Sequence, residues 1–215
     1  MRVSQAGSPR RGAPAAEETR ELILRAAETE FAERGFARAR LEDIAKPVRI
    51  TRAAIIYHFG DKKALYAAVL EATFKALAER TRAALEADAP PAERVERLIG
   101  AWVDYAAERP TLARLFLREV ADSPRELTPE LRELVDPMFS TVTEGIERGQ
   151  SEGAFRKVDP GLVVSILAGA TLWFVTNAPL LGGEKPRRLP KEQVFSDFRS
   201  ELIGVTRYLL GTHRR

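Results

Sequence analysis

The side chains able to do chemistry gather in one short stretch. Thr51, Arg52, Tyr57, His58 and Lys62 form a set rich in hydrogen-bond donors and cations. Such a set suits an anionic partner that accepts hydrogen bonds, and duplex DNA is one. The residues needed for most catalysis are scarce. The chain has no cysteine and two histidines, His58 and His213, so disulfides, thiolate nucleophiles and thiolate metal sites are excluded, and a multi-histidine metal site nearly so. No phosphate loop, nucleophile elbow, zinc motif or dinucleotide fingerprint is found. No catalytic residue, metal ligand or cofactor is therefore assigned, and the chain is not expected to be an enzyme.

The same stretch lies in a basic segment. From Arg34 to Lys63 there are eight basic and three acidic side chains, within a chain of 215 residues and net charge +3. Residues 17–33 carry six glutamates against two arginines, and residues 1–16 carry Arg2, Arg10 and Arg11 with no acid. A small basic segment beside a nearly neutral remainder reads either as a nucleic-acid reader attached to something else or as an unevenly charged solvated surface. With 45% hydrophobic and 30% charged residues the composition is that of a folded soluble protein. No apolar run with a small-residue cleavage site opens the chain, so a cytoplasmic protein is expected.

The elements that must position these residues are helical. Residues 1–16, rich in Gly, Pro, Ser and Arg, read as a disordered basic tail. Ile23, Ala27 and Phe31 make one apolar stripe of a helix starting at Glu17. Gly35, followed by apolar Phe36, stops it in a left-handed conformation. Leu41 to Lys46 predicts a second short helix with Leu41, Ile44 and Ala45 inward. Thr51 is a good N-cap for a third, ending at about His58, and Asp61 for a fourth, from Lys62 to about Glu86. Further helices are placed near 91–108, 110–121, 128–151, 160–178 and 190–210, with Pro137 expected to kink or divide its helix. No segment alternates with period two long enough to be a strand. The expected fold is all-α.

In the third helix, Ile50, Ala54, Ile55 and Phe59 can face a small core. That leaves Thr51, Arg52, Ala53, Ile56 and Tyr57 on an outward face suited to a major groove. Arg52 can reach guanine O6 and N7, or contact phosphate alone. Ile56 suits a thymine methyl and Ala53 permits close approach, unless both merely fill the helix. Tyr57, His58 and Lys62 offer phosphate contacts, and an N-terminal arginine can enter a minor groove or stay free.

These residues carry a family resemblance. Thr19-Arg20, Ile23-Leu24, Ala26-Ala27, Phe31 and Gly35-Phe36 are followed by Leu41-Glu42-Asp43-Ile44-Ala45. Then come Ile50-Thr51-Arg52, Ile56-Tyr57-His58-Phe59-Gly60-Asp61-Lys62 and Leu65. Over residues 19–70 the chain resembles the tetracycline-repressor (TetR/AcrR) family of helix-turn-helix transcriptional regulators. The resemblance implies a three-helix DNA-binding domain, here 17–77 with the helix-turn-helix at about 40–59. It also implies a helical regulatory, ligand-binding and dimerisation domain at 78–215. It implies a homodimer on a pseudo-palindromic operator and, most simply, a repressor released by a small effector. The alternative is a helical enzyme or interaction module acting on a hydrophobic small molecule.

Two departures from the family pattern are visible. Pro47 predicts an early end to the second helix. Arg49 replaces a glycine suited to positive φ at a cost of about 1–2 kcal/mol, so either the turn has another shape or the strain is tolerated. Arg40 stands where a small capping hydroxyl residue is usual; it loses the cap and gains a charge toward phosphate. Ile56 stands where tyrosine is common.

By the resemblance, the helices beyond residue 62 surround an effector pocket. Trp102, Tyr105, Phe116, Phe139 and Trp173 are its candidate aromatics, with Asn177, Thr143 or Glu119 to orient an apolar or aromatic ligand. The other reading of each aromatic is core packing. Pro160 to Gly183 is uncharged and long enough for a membrane span, though a helix apolar all round can also be buried within a protein or between subunits. A four-helix dimer bundle accounts for it without a membrane. Its candidates are Leu162, Val163, Ile166, Leu167 and Ala170, then Phe195, Phe198, Leu202, Val205 and Leu209, with Gly169 permitting close approach.

Overall fold

The computed structural model describes residues 13–122, 127–177 and 191–211, and among these every regular element is a helix. In chain order they are α1 (Ala13–Arg38), α2 (Leu41–Val48), α3 (Arg52–Phe59), α4 (Lys62–Leu85), α5 (Pro91–Glu108), α6 (Pro110–Asp122), α7 (Pro129–Ser151), α8 (Pro160–Asn177) and α9 (Lys191–Leu210). The chain divides into two compact units, residues 1–69 and 70–215, the division falling inside α4. The α1 helix begins four residues earlier than the stripe of Ile23, Ala27 and Phe31 indicates. Pro14 in its first turn costs nothing, because N–H groups there have no partner within the helix. Residues 13–16 of the expected tail are thus helical, and residues 1–12 lie outside the described residues.

In the first unit Ile23, Ala27 and Phe31 are fully buried, joined by Leu41, Ile44, Ala45, Ile55 and Leu65. Gly35 takes φ 73°, breaking the helical run at the position expected. Phe36 then turns back onto Phe31 and Tyr66, with ring centroids 6.3 and 5.1 Å away.

The expectation at Pro47 is overturned. The α2 helix runs through it to Val48, and Pro47 is exposed on the helix surface. The proline forfeits a single intrahelical bond, and the chain end is closed another way. Arg49 N–H bonds to Lys46 C=O at 3.1 Å and Ile50 N–H to Ala45 C=O at 3.2 Å, the paired bonds of a Schellman cap. That cap needs a left-handed residue, and Arg49 supplies it at φ 58°, ψ 39°. The strain is tolerated rather than avoided. Arg49→Gly is accordingly expected to raise unfolding free energy by about 1 kcal/mol. A higher urea midpoint at unchanged slope would show it.

Pro137 likewise neither divides nor ends its helix: α7 is continuous from Pro129 to Ser151. The ring sits on the exposed side, where a freed carbonyl can turn to water. In the second unit α8 packs against α5, α6, α7 and α9. It is long and apolar enough to cross a membrane, yet Val163, Val164, Leu167, Thr171, Phe174 and Val175 are buried in this unit's own core. The need for an apolar surface on that side is met by protein.

Candidate nucleic-acid interface and effector cavity

The roll of α3 is fixed by Ile55, its one fully buried residue, with Ile50, Ala54 and Phe59 half-buried beside it. The Arg20 guanidinium lies over the Phe59 ring at 5.1 Å and closes that side. The opposite side then has no choice but water: Thr51, Arg52, Ala53, Ile56 and Tyr57 are all exposed, Tyr57 at 86%. Thr51 Oγ1 accepts the Ala54 N–H at 3.2 Å and caps α3. Gly60, at φ 86°, ends the helix, and Asp61 Oδ1 caps α4 by accepting from Ala64 N–H at 2.7 Å.

The charged candidates are partly engaged within this unit. Arg52 Nη1 lies 3.4 Å from Glu42 Oε1. Lys62 donates to the Ala37 carbonyl at 3.2 Å and sits 4.7 Å from the Phe36 ring centroid, so it closes the end of α1 as well as presenting charge. His58 is half-buried between the rings of Tyr57 and Phe59. Arg40 stands at the N-cap of α2 and makes no side-chain cap. Arg40, Arg52, Ile56 and Lys62 thus border one open cleft of about 320 Å³.

In the second unit the sequence-derived aromatics separate. Trp102, Tyr105, Phe116 and Phe139 do line one cavity of about 50 Å³, with Phe74, Leu77, Met138, Ala168, Thr171 and others. Trp173 and Asn177 do not. Trp173 is 56% exposed on the far side of α8, and the Asn177 amide donates to the Trp173 carbonyl at 2.9 Å within its own helix. Thr143 bonds back to Ser140, and Glu119, buried, accepts from Thr128. Neither lines the cavity. Met138, Thr171 and Ala168 were missed, and only their inward register on α7 and α8 marks them.

The polar atoms around this cavity are already committed. Trp102 Nε1 donates to Thr81 Oγ1 at 2.8 Å, and Tyr105 Oη donates to the Thr73 carbonyl at 2.7 Å. Arg80 lies 4.7 Å from the Tyr105 ring centroid and grips Glu108 through two bonds, 3.2 and 2.8 Å. The hydrogen bonds to Glu108 raise the Arg80 pKa above its ordinary value, so it keeps its charge at every physiological pH. Thr171 Oγ1 donates to the Leu167 carbonyl at 2.8 Å, and the remaining lining is apolar. Among the described residues no group of three carboxylate or imidazole side chains is placed to hold a metal ion.

The bundle candidates divide by burial. Leu162, Ile166 and Val205 are exposed, joined by Trp173 and Tyr208. Val163, Leu167, Phe195 and Leu202 are buried inside the single chain, which corrects their assignment to a partner-facing surface. Phe198 stacks on Phe174 of the same chain with centroids 3.8 Å apart. Ala170 and Leu209 are half-buried.

A three-helix unit presenting the face of a short third helix, followed by a separate helical unit with an apolar cavity, defines a DNA-binding regulator of the helix-turn-helix class. Residues 23–69 match the bacterial regulatory proteins, tetR family, and residues 91–202 match the tetracyclin repressor-like C-terminal domain. The chain belongs to the tetR family. It is 27% identical over 164 residues to the HTH-type transcriptional regulator RutR of Escherichia coli K12, covering 74% of this chain and 75% of that one. It is 33% identical over 138 residues to the HTH-type transcriptional repressor SCO4008 of Streptomyces coelicolor, covering 62% and 67%. The fold is also that of the regulator PfmR from Thermus thermophilus, with TM-score 0.68, 24% identity and coverage of 91% and 97%. Members of this family bind operator DNA, dimerise and bind small-molecule effectors. The chain is a ligand-responsive, DNA-binding transcriptional regulator.

Proposed function

We propose that the protein is a cytoplasmic, homodimeric repressor that an apolar or aromatic effector releases from a pseudo-palindromic operator. The observation that carries the DNA part is the face of α3: Ile55 is buried while Thr51, Arg52, Ala53, Ile56 and Tyr57 all stand in solvent. Arg52 reads a guanine edge, Ile56 meets a thymine methyl, and Ala53 lets the helix approach. Arg40, Tyr57, His58 and Lys62 hold phosphates, and the capped helix start at Thr51 faces the same backbone. In the second unit Trp102, Tyr105, Phe116 and Phe139 accept the effector. Their polar atoms have partners in the protein, which favours a ligand with few of its own.

The cavity, at about 50 Å³, is far below the roughly 300 Å³ at which ordinary ligand pockets begin. Effector entry therefore selects a conformation in which Phe116 and Phe139, both half-buried, move aside. Release follows if that conformation sets the two recognition helices at a spacing that no longer fits successive major grooves. Relatives that are named as transcriptional repressors support this polarity.

The test is binding to duplexes selected from a random pool, followed by fluorescence anisotropy against salt. With cations from two protomers on phosphate, log affinity is expected to fall with log salt at a slope of about −4 or steeper. A nearly flat slope removes the proposed phosphate clamp.

A further inference from the structure

Three carboxylates stand on the basic segment between Arg34 and Lys63, and two serve the fold. Asp61 caps α4 through Ala64 N–H. Asp43, half-buried in the first turn of α2, lies 4.0 Å from Lys46 Nζ on the same helix. Glu42 alone reaches to another element. Its Oε1 leaves α2 and lies 3.4 Å from Arg52 Nη1 in the first turn of α3, with the two side chains 59% and 61% exposed. Both border the cleft that Arg40, Ile56 and Lys62 line.

Stability does not account for this pair, because an ion pair so exposed contributes little. For DNA binding as such Glu42 is a liability, since a carboxylate beside the groove repels phosphate of every sequence. What the pair does accomplish is local. A long arginine side chain is held to one side of the cleft, one part of its N–H fork engaged and the remainder free. An arginine so held is ready for a fixed target such as a base edge, and it must break an ion pair to swing onto a phosphate.

We propose that Glu42 is a positioning residue for sequence discrimination, holding Arg52 toward base edges and penalising its use on the DNA backbone. This rests on Arg52 being a base-reading residue. Glu42→Gln removes the charge and keeps the shape. The duplex selected by the unaltered protein is compared with a scrambled duplex of equal composition. The variant is expected to bind the scrambled duplex several-fold more tightly, and the selected-over-scrambled ratio is expected to fall by about five-fold or more. The scrambled-duplex salt slope steepens by about one phosphate per protomer. Thermal unfolding stays unchanged, and Glu42→Ala repeats the pattern. In an Arg52→Ala background the Glu42→Gln effect on the ratio disappears.

An unchanged ratio overturns the proposal, as does a fall of equal size in the Arg52→Ala background, which makes Glu42 a general repulsive charge. If Arg52→Ala alone leaves the ratio intact, the base-reading role fails first, and the two failures are told apart.

Discussion

Ile166→Glu is expected to leave the protein monomeric at micromolar concentration and to remove tight operator binding, with its fold intact. Ile166 is 44% exposed on α8, between Leu162 and Trp173 on the same side of the helix, and Val205 and Tyr208 are exposed on α9. An added Cβ at Gly169 or Gly204 would meet nothing within 4 Å of its own chain. Both glycines sit inside helices, where glycine costs about 1 kcal/mol relative to alanine. The protomer's own packing gives no reason for that cost; close approach of a partner helix does. A two-fold interface brings the same patch of each protomer together, so the substitution places two carboxylates in one apolar seam. Several kcal/mol is the expected penalty, about a thousand-fold in the dimer dissociation constant at 4 kcal/mol. Sedimentation velocity reads the mass, and anisotropy reads the lost avidity when one protomer holds one half-site. Helical circular dichroism equal to that of the unaltered protein shows that the side chain lay outside the core, while the melting temperature falls by the stabilisation that the partner subunit supplied. A dimer that survives puts the interface on another surface.

The halves of α8 explain what was legible in the sequence and what was not. Its apolar character and length stand out by composition. But a helix apolar all round carries no periodic signal to separate the side facing its own core from the side facing a partner. Val163 and Leu167 could not be told from Leu162 and Ile166 until neighbours were in place. Trp173 and Phe174 make the same point: adjacent aromatics on a helix point apart, and only Phe174 is buried. The first unit was more readable because α2 and α3 are short and α1 carries a single apolar stripe through Ile23, Ala27 and Phe31. Ile23, Ala27, Phe31, Ile44 and Ile55 are buried as the pattern indicates, and the caps at Thr51 and Asp61 form.

The miss at Pro47 has a plain cause: the proline was judged by intrinsic propensity, whereas an exposed proline beside a helix end closed by the Arg49 and Ile50 N–H groups is tolerable in context. In the second unit exposed Pro137 likewise leaves its helix continuous. Arg49 was the reverse case. The left-handed turn is a demand of topology, so the residue present accepts its strain. The cavity was the hardest to foresee. Its lining comes from α4, α5, α6, α7 and α8, and no sequence spacing brings Phe74, Trp102, Met138 and Thr171 together.

Arg52→Ala and Lys62→Ala are expected to damage DNA binding in opposite ways. Arg52 loses a bidentate base contact, worth about 1–3 kcal/mol of discrimination per protomer. In a dimer reading two half-sites the selected duplex weakens by about 30-fold or more, while scrambled DNA is nearly unaffected. A selection repeated with the variant recovers sequences relaxed at one position in each half-site. Lys62 contributes charge rather than base recognition, so its removal weakens selected and scrambled duplexes by the same factor and lowers the salt slope by about one unit per protomer. It also has a structural cost that Arg52 lacks. The Lys62 ammonium bonds the Ala37 carbonyl and lies over the Phe36 ring, so Lys62→Ala should lose about 1 kcal/mol of stability. Lys62→Arg keeps the charge but cannot fit the same donor geometry, and it should restore the salt slope more fully than the melting temperature. The two variants thus separate on three axes: sequence preference, salt dependence and stability. Equal losses on both duplexes for Arg52→Ala would move that residue onto the backbone, and a sequence-selective loss for Lys62→Ala would move that one into the groove.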